Sequence, residues 1–134
     1  MGLFNTFFKN NDNLWRGNAL ESINQLEDLM NASFSTPQLI FKHSTRCNIS
    51  RIVLDIFVSN YTFSSQNFGA WYLDLLVYRK ISDTIAETLQ VVHQSPQLII
   101  IKNGIAIKSA SHESVNDILL LSLIHISEPT RLHG

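Results

Sequence analysis

Two hydrophobic periods alternate along the chain. Leu20, Ile23, Leu26, Leu29 and Met30 recur at helical spacing and predict a first helix. Asn18 stands where a cap is needed, and Glu21 follows three residues later as in a capping box. Thr36-Pro37 ends that segment. Gln38 to Lys42 reads as a short strand, and His43 to Arg46 as a polar loop. Beyond Cys47 the period turns helical: Ile49, Ile52, Val53, Ile56 and Phe57 form one apolar face. A Ser- and Asn-rich loop then leads to a second strand, Trp71 to Leu76. Ser82 or Asp83 can cap the next helix, which carries Ile85, Ala86 and Leu89. Ser95-Pro96 precedes the apolar run Gln97 to Ile101. Asn103-Gly104 is a strong hairpin signal, with Ile105 to Lys108 as the returning strand. Ser111 is placed to cap a last helix that starts near His112 and includes Val115, Ile118 and Leu119.

The predicted order is an extra N-terminal helix followed by β-α-β-α-β-β-α. A helix joins the first two strands, so they should lie parallel with a right-handed crossover. The last two form an antiparallel hairpin. This is an α/β architecture of the thioredoxin-like, glutaredoxin-type topology. Residues 1–17 read as an N-terminal arm, 18–120 as the domain, and 121–134 as a separate tail. The stretch Leu121 to Arg131 resembles the translation of a transposase-type sequencing adapter, so no function is read from it.

Composition narrows the class. The chain has 134 residues, 45% apolar and 16% charged, which suits one globular domain. Ten Lys and Arg against eleven Asp and Glu argue against a nucleic-acid binder. No run of residues is long and apolar enough to span a bilayer. A single cysteine, Cys47, excludes a disulfide framework within the chain, and the first residues lack a signal-peptide pattern. The expected setting is a reducing cytoplasm, and the expected state a monomer.

Cys47 therefore carries the candidate chemistry. It sits where a strand hands over to a helix, so its sulfur lies near a helix N-terminus that favours an anion. The thiolate is the nucleophilic form. Lys42, His43 and Arg46 add positive potential nearby, and Arg46 is always charged. Ser50 completes a Cys-x-x-Ser pattern, in which serine can donate a hydrogen bond to the sulfur but cannot form a disulfide. One-thiol exchange through a mixed disulfide is the chemistry left. The plain alternative is that Cys47 is a small buried apolar residue. Ser95-Pro96, in the place of the cis-proline of thioredoxin-type folds, supports the redox reading. Asp74, Tyr78, Arg79 and His93 read as turn or strand-end residues. No zinc-ligand spacing and no glycine-rich phosphate loop appears, so no metal is expected.

These residues resemble the monothiol bacilliredoxin family, the YtxJ-like members of the thioredoxin-like superfamily. The resemblance runs through Phe41-Lys42-His43-Ser44-Thr45-Arg46-Cys47, Ile49-Ser50, Tyr72 to Leu75, Tyr78-Arg79, His93, Ser95-Pro96-Gln97, Asn103-Gly104 and Ser111-His112. Asn48 departs from it, standing where proline is frequent. The resemblance implies a thiol–disulfide oxidoreductase that removes bacillithiol from protein mixed disulfides. Cys47 would be the nucleophile, with Arg46 and Ser50 beside it. His43, Thr45, Asn48, Ser95, Pro96, Ser111 and His112 would contact the substrate, the last two where the N-terminus of the last helix can take a carboxylate of bacillithiol; the plainer reading is that Ser111 caps that helix and His112 is a solvated first-turn residue. No cofactor would be bound; bacillithiol would be a thiol co-substrate. The implied partners are bacillithiolated client proteins and either bacillithiol or a partner reductase. The competing readings are a redox-sensing interaction domain and an iron–sulfur carrier of the monothiol glutaredoxin kind.

Overall fold

The computed structural model describes residues 15–124. The first fourteen and the last ten residues, including most of the arm and of the predicted tail, lie outside the described residues. The elements are β1 (Asn18–Ala19), α1 (Ile23–Ala32), β2 (Gln38–His43), α2 (Asn48–Asn60), β3 (Gly69–Asp74), α3 (Arg79–Leu89), β4 (Gln97–Lys102) and β5 (Ile105–Ser111). Two 3-10 segments follow, His112–Asp117 and Leu120–Leu123. The five strands form one sheet in the order β1-β3-β2-β4-β5. β2 runs parallel to β3 and antiparallel to β4, and β4–β5 is the expected hairpin. Asn103 and Gly104 turn it with φ of 54° and 79°, the left-handed conformation such a turn requires.

Strand alternation sorts the core into two layers. Leu39 and Phe41 of β2 and Leu98 and Ile100 of β4 face α2 and the 3-10 segments. Ile40, Ile99 and Ile101 face α1 and α3, packing on Leu26, Leu29, Ile81, Ile85 and Leu89. Both faces of the central strands are covered, so these strands read as continuous apolar runs.

The structure corrects four local expectations. Asn18 does not cap the first helix. Asn18 and Ala19 pair with Trp71 and Tyr72 as a short edge strand, and Leu20 N–H donates to Tyr72 O at 2.8 Å. A Cβ on Gly17 would collide with the Ala70 carbonyl, so only glycine lets the chain approach β3 there. Ser22 is the cap, accepting from Gln25 N–H at 3.1 Å, while Gln25 Oε1 accepts from Glu21 N–H at 2.6 Å. Ser82 and Asp83 do not open α3 either: it begins a turn earlier, after Tyr78, and Ser82 is buried within it.

β5 runs on to Ser111, which pairs with Gln97 and makes no capping hydrogen bond. The expected last α-helix is replaced by the two 3-10 segments. Leu120 and Leu123 pack into the α2-side core, so the stretch set apart from the domain at 121 packs on it through residue 123.

The fourth correction concerns α2. Ile49, Ile52 and Ile56 are exposed, by 57, 58 and 45%. Ser50, Val53, Leu54, Phe57 and Val58 are the buried face. This helix carries two apolar stripes side by side, and periodicity does not say which one meets the sheet. Leu54→Ala should cost about 2–5 kcal/mol, whereas Ile52→Ala should change stability by no more than about 0.5 kcal/mol. Urea unfolding of the two variants checks the orientation.

Candidate functional site

Register brings the candidate residues to one end of the sheet. His43, the last residue of β2, pairs with Asp74, the last of β3. Lys42 pairs with Gln97, the first residue of β4. The loops that leave β2 and β3 and the segment that enters β4 therefore meet there. Loops at the carboxyl ends of parallel strands are where α/β folds build their sites.

Cys47 is the N-cap of α2, in extended conformation, and is half-buried. Its N–H donates to Ser44 O and its carbonyl accepts from Arg51 N–H, both at 3.1 Å. The side chain makes no capping hydrogen bond, and the first turn of α2 holds no acidic residue. The sulfur thus sits at the positive end of a thirteen-residue helix with no carboxylate on that turn to oppose a negative charge. Thr45, Arg46, Asn48 and Ile49 are exposed around it.

Ser50 and His43 do not play the parts expected of them. Both are fully buried. Ser50 Oγ lies 2.6 Å from His43 Nδ1 and accepts from Ser44 N–H at 3.2 Å. The hydroxyl fastens the loop before Cys47 to the end of β2. Burial, with Arg51 adding to it, pushes the His43 pKa down to about 4. The imidazole is neutral near pH 7, so it adds no positive potential, and its burial keeps it from touching a substrate. It supports the loop from beneath.

The Ser95–Pro96 peptide is cis. Pro96 is buried; Ser95 is half-buried, and its Oγ is enclosed without a hydrogen-bond partner among the described residues. Pro96 O accepts from His112 N–H at 3.0 Å, which sets Ser111 and His112 beside this segment. His112 is exposed, with φ at 56°. It opens a six-residue 3-10 segment, so the long helix whose N-terminus would have drawn an anion there is absent. Asp74 accepts from Leu76 N–H at 3.2 Å, a turn role.

Lys42 was expected to lend its charge to the Cys47 loop. It instead points to the α1 and α3 face and is fully buried. Its ammonium donates to His93 Nδ1 at 2.8 Å. Burial lowers the Lys42 pKa to about 8, with Asp83 acting the other way. Burial, Lys42 and Arg79 lower that of His93, again against Asp83. The signal was available: a lysine two residues after Ile40 shares its face in an otherwise apolar strand. Among the described residues, no three His, Cys, Asp or Glu converge as a metal site would require.

A model of the monothiol bacilliredoxin family (BrxC) matches residues 18–120. One solved protein with a thioredoxin fold is 29% identical, over 84% of this chain and 94% of that one, with a TM-score of 0.64. A Malassezia sympodialis thioredoxin is 15% identical, over 81% of this chain and 88% of its own, at TM-score 0.63. Oxidised thioredoxin O1 of Arabidopsis thaliana is 19% identical, over 81% and 96%, at 0.59. The two thioredoxins establish likeness of fold alone.

Two outcomes follow from the buried Ser50–His43 contact. Ser50→Ala strips a partner from the buried His43 ring and from the half-buried Ser44 N–H, and should cost about 1–3 kcal/mol. The unfolded chain protonates His43 near 6.5 and the folded chain only near 4, so its contribution is complete above pH 6.5 and fades as pH falls towards 4. The fully developed loss should be on the order of 3 kcal/mol. Urea unfolding from pH 7 to pH 4 should show that slope in the wild type and a shallower one in His43→Phe.

Proposed function

The chain belongs to the monothiol bacilliredoxin family, and from that premise we propose that it exchanges bacillithiol out of protein mixed disulfides through Cys47. Family and fold make it a thiol oxidoreductase in the general sense. One observation carries the finer reading. Cys47 is the sole sulfhydryl, at an N-cap with its side chain uncommitted, and the position three residues on is a serine locked onto His43. No second sulfur can close a disulfide on it.

The cycle then needs two exchanges at one atom. The Cys47 thiolate attacks the bacillithiol sulfur of a client–bacillithiol disulfide. The client sulfur leaves as a thiolate and takes a proton from solvent. Cys47 now carries bacillithiol. A second thiolate, from bacillithiol or a partner reductase, attacks that same bacillithiol sulfur and releases Cys47. One disulfide is exchanged for another: the client leaves as a thiol, the single incoming thiol ends bonded to the bacillithiol taken from the client, and Cys47 returns as a thiolate, so the electron count closes.

Each residue's part follows from where it sits. The helix N-terminus stabilises charge on Cys47 Sγ both when it attacks and when it leaves. Arg46 is the exposed cation next in sequence, suited to the carboxylates that bacillithiol bears. Thr45 and Asn48 border the sulfur, and the Ser95–Pro96 segment offers main-chain groups to an extended client chain. Ser111 and His112 flank that segment.

Catalytic amounts of the protein, added to a bacillithiolated client with excess bacillithiol, should release many equivalents of client thiol. Mass spectrometry should find one bacillithiol on Cys47 as an intermediate, and Cys47→Ser should be inactive. Capture of a single equivalent without release would replace this reading with a redox sensor.

A further inference from the structure

Three polar side chains are buried beneath the segment that leads to Pro96; two of them hold His93 and the third holds its neighbour Val92. They are Lys42 from β2, Ser82 from α3 and Gln97 from β4, none more than 3% exposed. Lys42 Nζ donates to His93 Nδ1 at 2.8 Å, and Ser82 Oγ lies 3.2 Å from the same nitrogen. Gln97 Nε2 donates to Val92 O at 2.9 Å. Val92 and His93 themselves are exposed. The interior thus reaches outward to fasten a surface segment.

The arrangement is an expensive one. An ammonium withdrawn from water is ordinarily matched by a carboxylate. Here its hydrogen-bond partner is a neutral ring nitrogen, and Asp83 acts on it through charge alone. A leucine or methionine in the same position would pack without that cost. Gln97 Oε1 is likewise enclosed without a partner among the described residues, so the amide is oriented to serve Val92.

We infer that Lys42, His93 and Gln97 form a latch that fixes the Val92–Pro96 segment to receive an extended client chain, which makes Lys42 and His93 positioning residues for client binding. This rests on the exchange reaction proposed above. Lys42 and His93 touch neither the sulfur nor the small thiol in that scheme; they set the loop on which the client's backbone lies.

The latch carries its own pH signature. His93 accepts from an ammonium that has only protons to offer, so the ring must be neutral at Nδ1. Lys42 from β2 and Arg79 from α3 oppose its protonation, and Asp83 from α3 favours it. Once protonated, the ring faces Lys42 donor to donor and the contact is lost.

The test compares a bacillithiolated protein client with a small bacillithiol disulfide, together with amide hydrogen exchange over residues 91–95. In Lys42→Met the client KM should rise about tenfold, the weight of a lost charge-assisted hydrogen bond, with kcat little changed. The small disulfide needs no extended chain, so its kcat/KM should fall far less. Once corrected for the intrinsic exchange rate at each pH, amides 91–95 should be less protected in Lys42→Met at pH 7, and less protected in the wild type as the pH is lowered. His93→Gln keeps an acceptor for Lys42 and should hold the client KM near wild type without the rise in acid; His93→Ala should not. An unchanged client KM and unchanged exchange in Lys42→Met would overturn the latch, as would equal losses on both substrates. If Lys42→Met does not fold, the His93→Gln and His93→Ala pair decides on the same readouts. A wild type that exchanges neither substrate would instead sink the parent reaction, leaving amide exchange to judge the latch alone.

Discussion

The register of β2 between β3 and β4 is the constraint on which the site depends. Pairing His43 with Asp74 and Lys42 with Gln97 sets three chain segments at one end of the sheet. A shift of one residue would turn Lys42 to the α2 layer and His43 to the α3 layer. The apolar alternation of Leu39, Ile40 and Phe41 forbids it, because each side chain would then face the wrong core. Core packing thereby positions Cys47 and Pro96 without any direct bond between them.

Polar groups at that end work as scaffolding. His43 and Ser50 hold the loop ahead of the sulfur, and Lys42, Ser82 and Gln97 hold the segment ahead of Pro96. The groups left exposed are Cys47, in part, with Thr45, Arg46 and Asn48 around it. The interior supplies rigidity, and the rim carries Cys47 with its polar neighbours. That division suits the exchange reaction proposed above, in which partners must be brought to one sulfur in the right orientation.

The strand–helix turn that carries Cys47 was legible because it is local. A polar loop between an apolar strand and a helical period places Cys47 at an N-cap with no knowledge of the rest. The hairpin was equally plain, because Asn103-Gly104 satisfies a backbone requirement by itself. Roles that depend on facing another element were not legible. His43 looked like a charge near the thiol and proved to be a buried neutral support. Ser82 looked like a cap and proved to be a ligand of His93. Ile49, Ile52 and Ile56 looked like core and proved to be surface. In each case the residue type was compatible with two environments.

What the residues determine alone is a set of local preferences: where the chain turns, which runs are extended or helical, and that one thiol stands without a second. These follow from backbone geometry and side-chain chemistry within a few positions. The tertiary structure decided which stripe of α2 meets the sheet, that Gly17 lets the chain add an edge strand to β3, and that Lys42 points inward to His93. Those choices rest on contacts between residues as far apart as Lys42 and His93. Such contacts are set by the packing of whole layers, which no short stretch of sequence encodes.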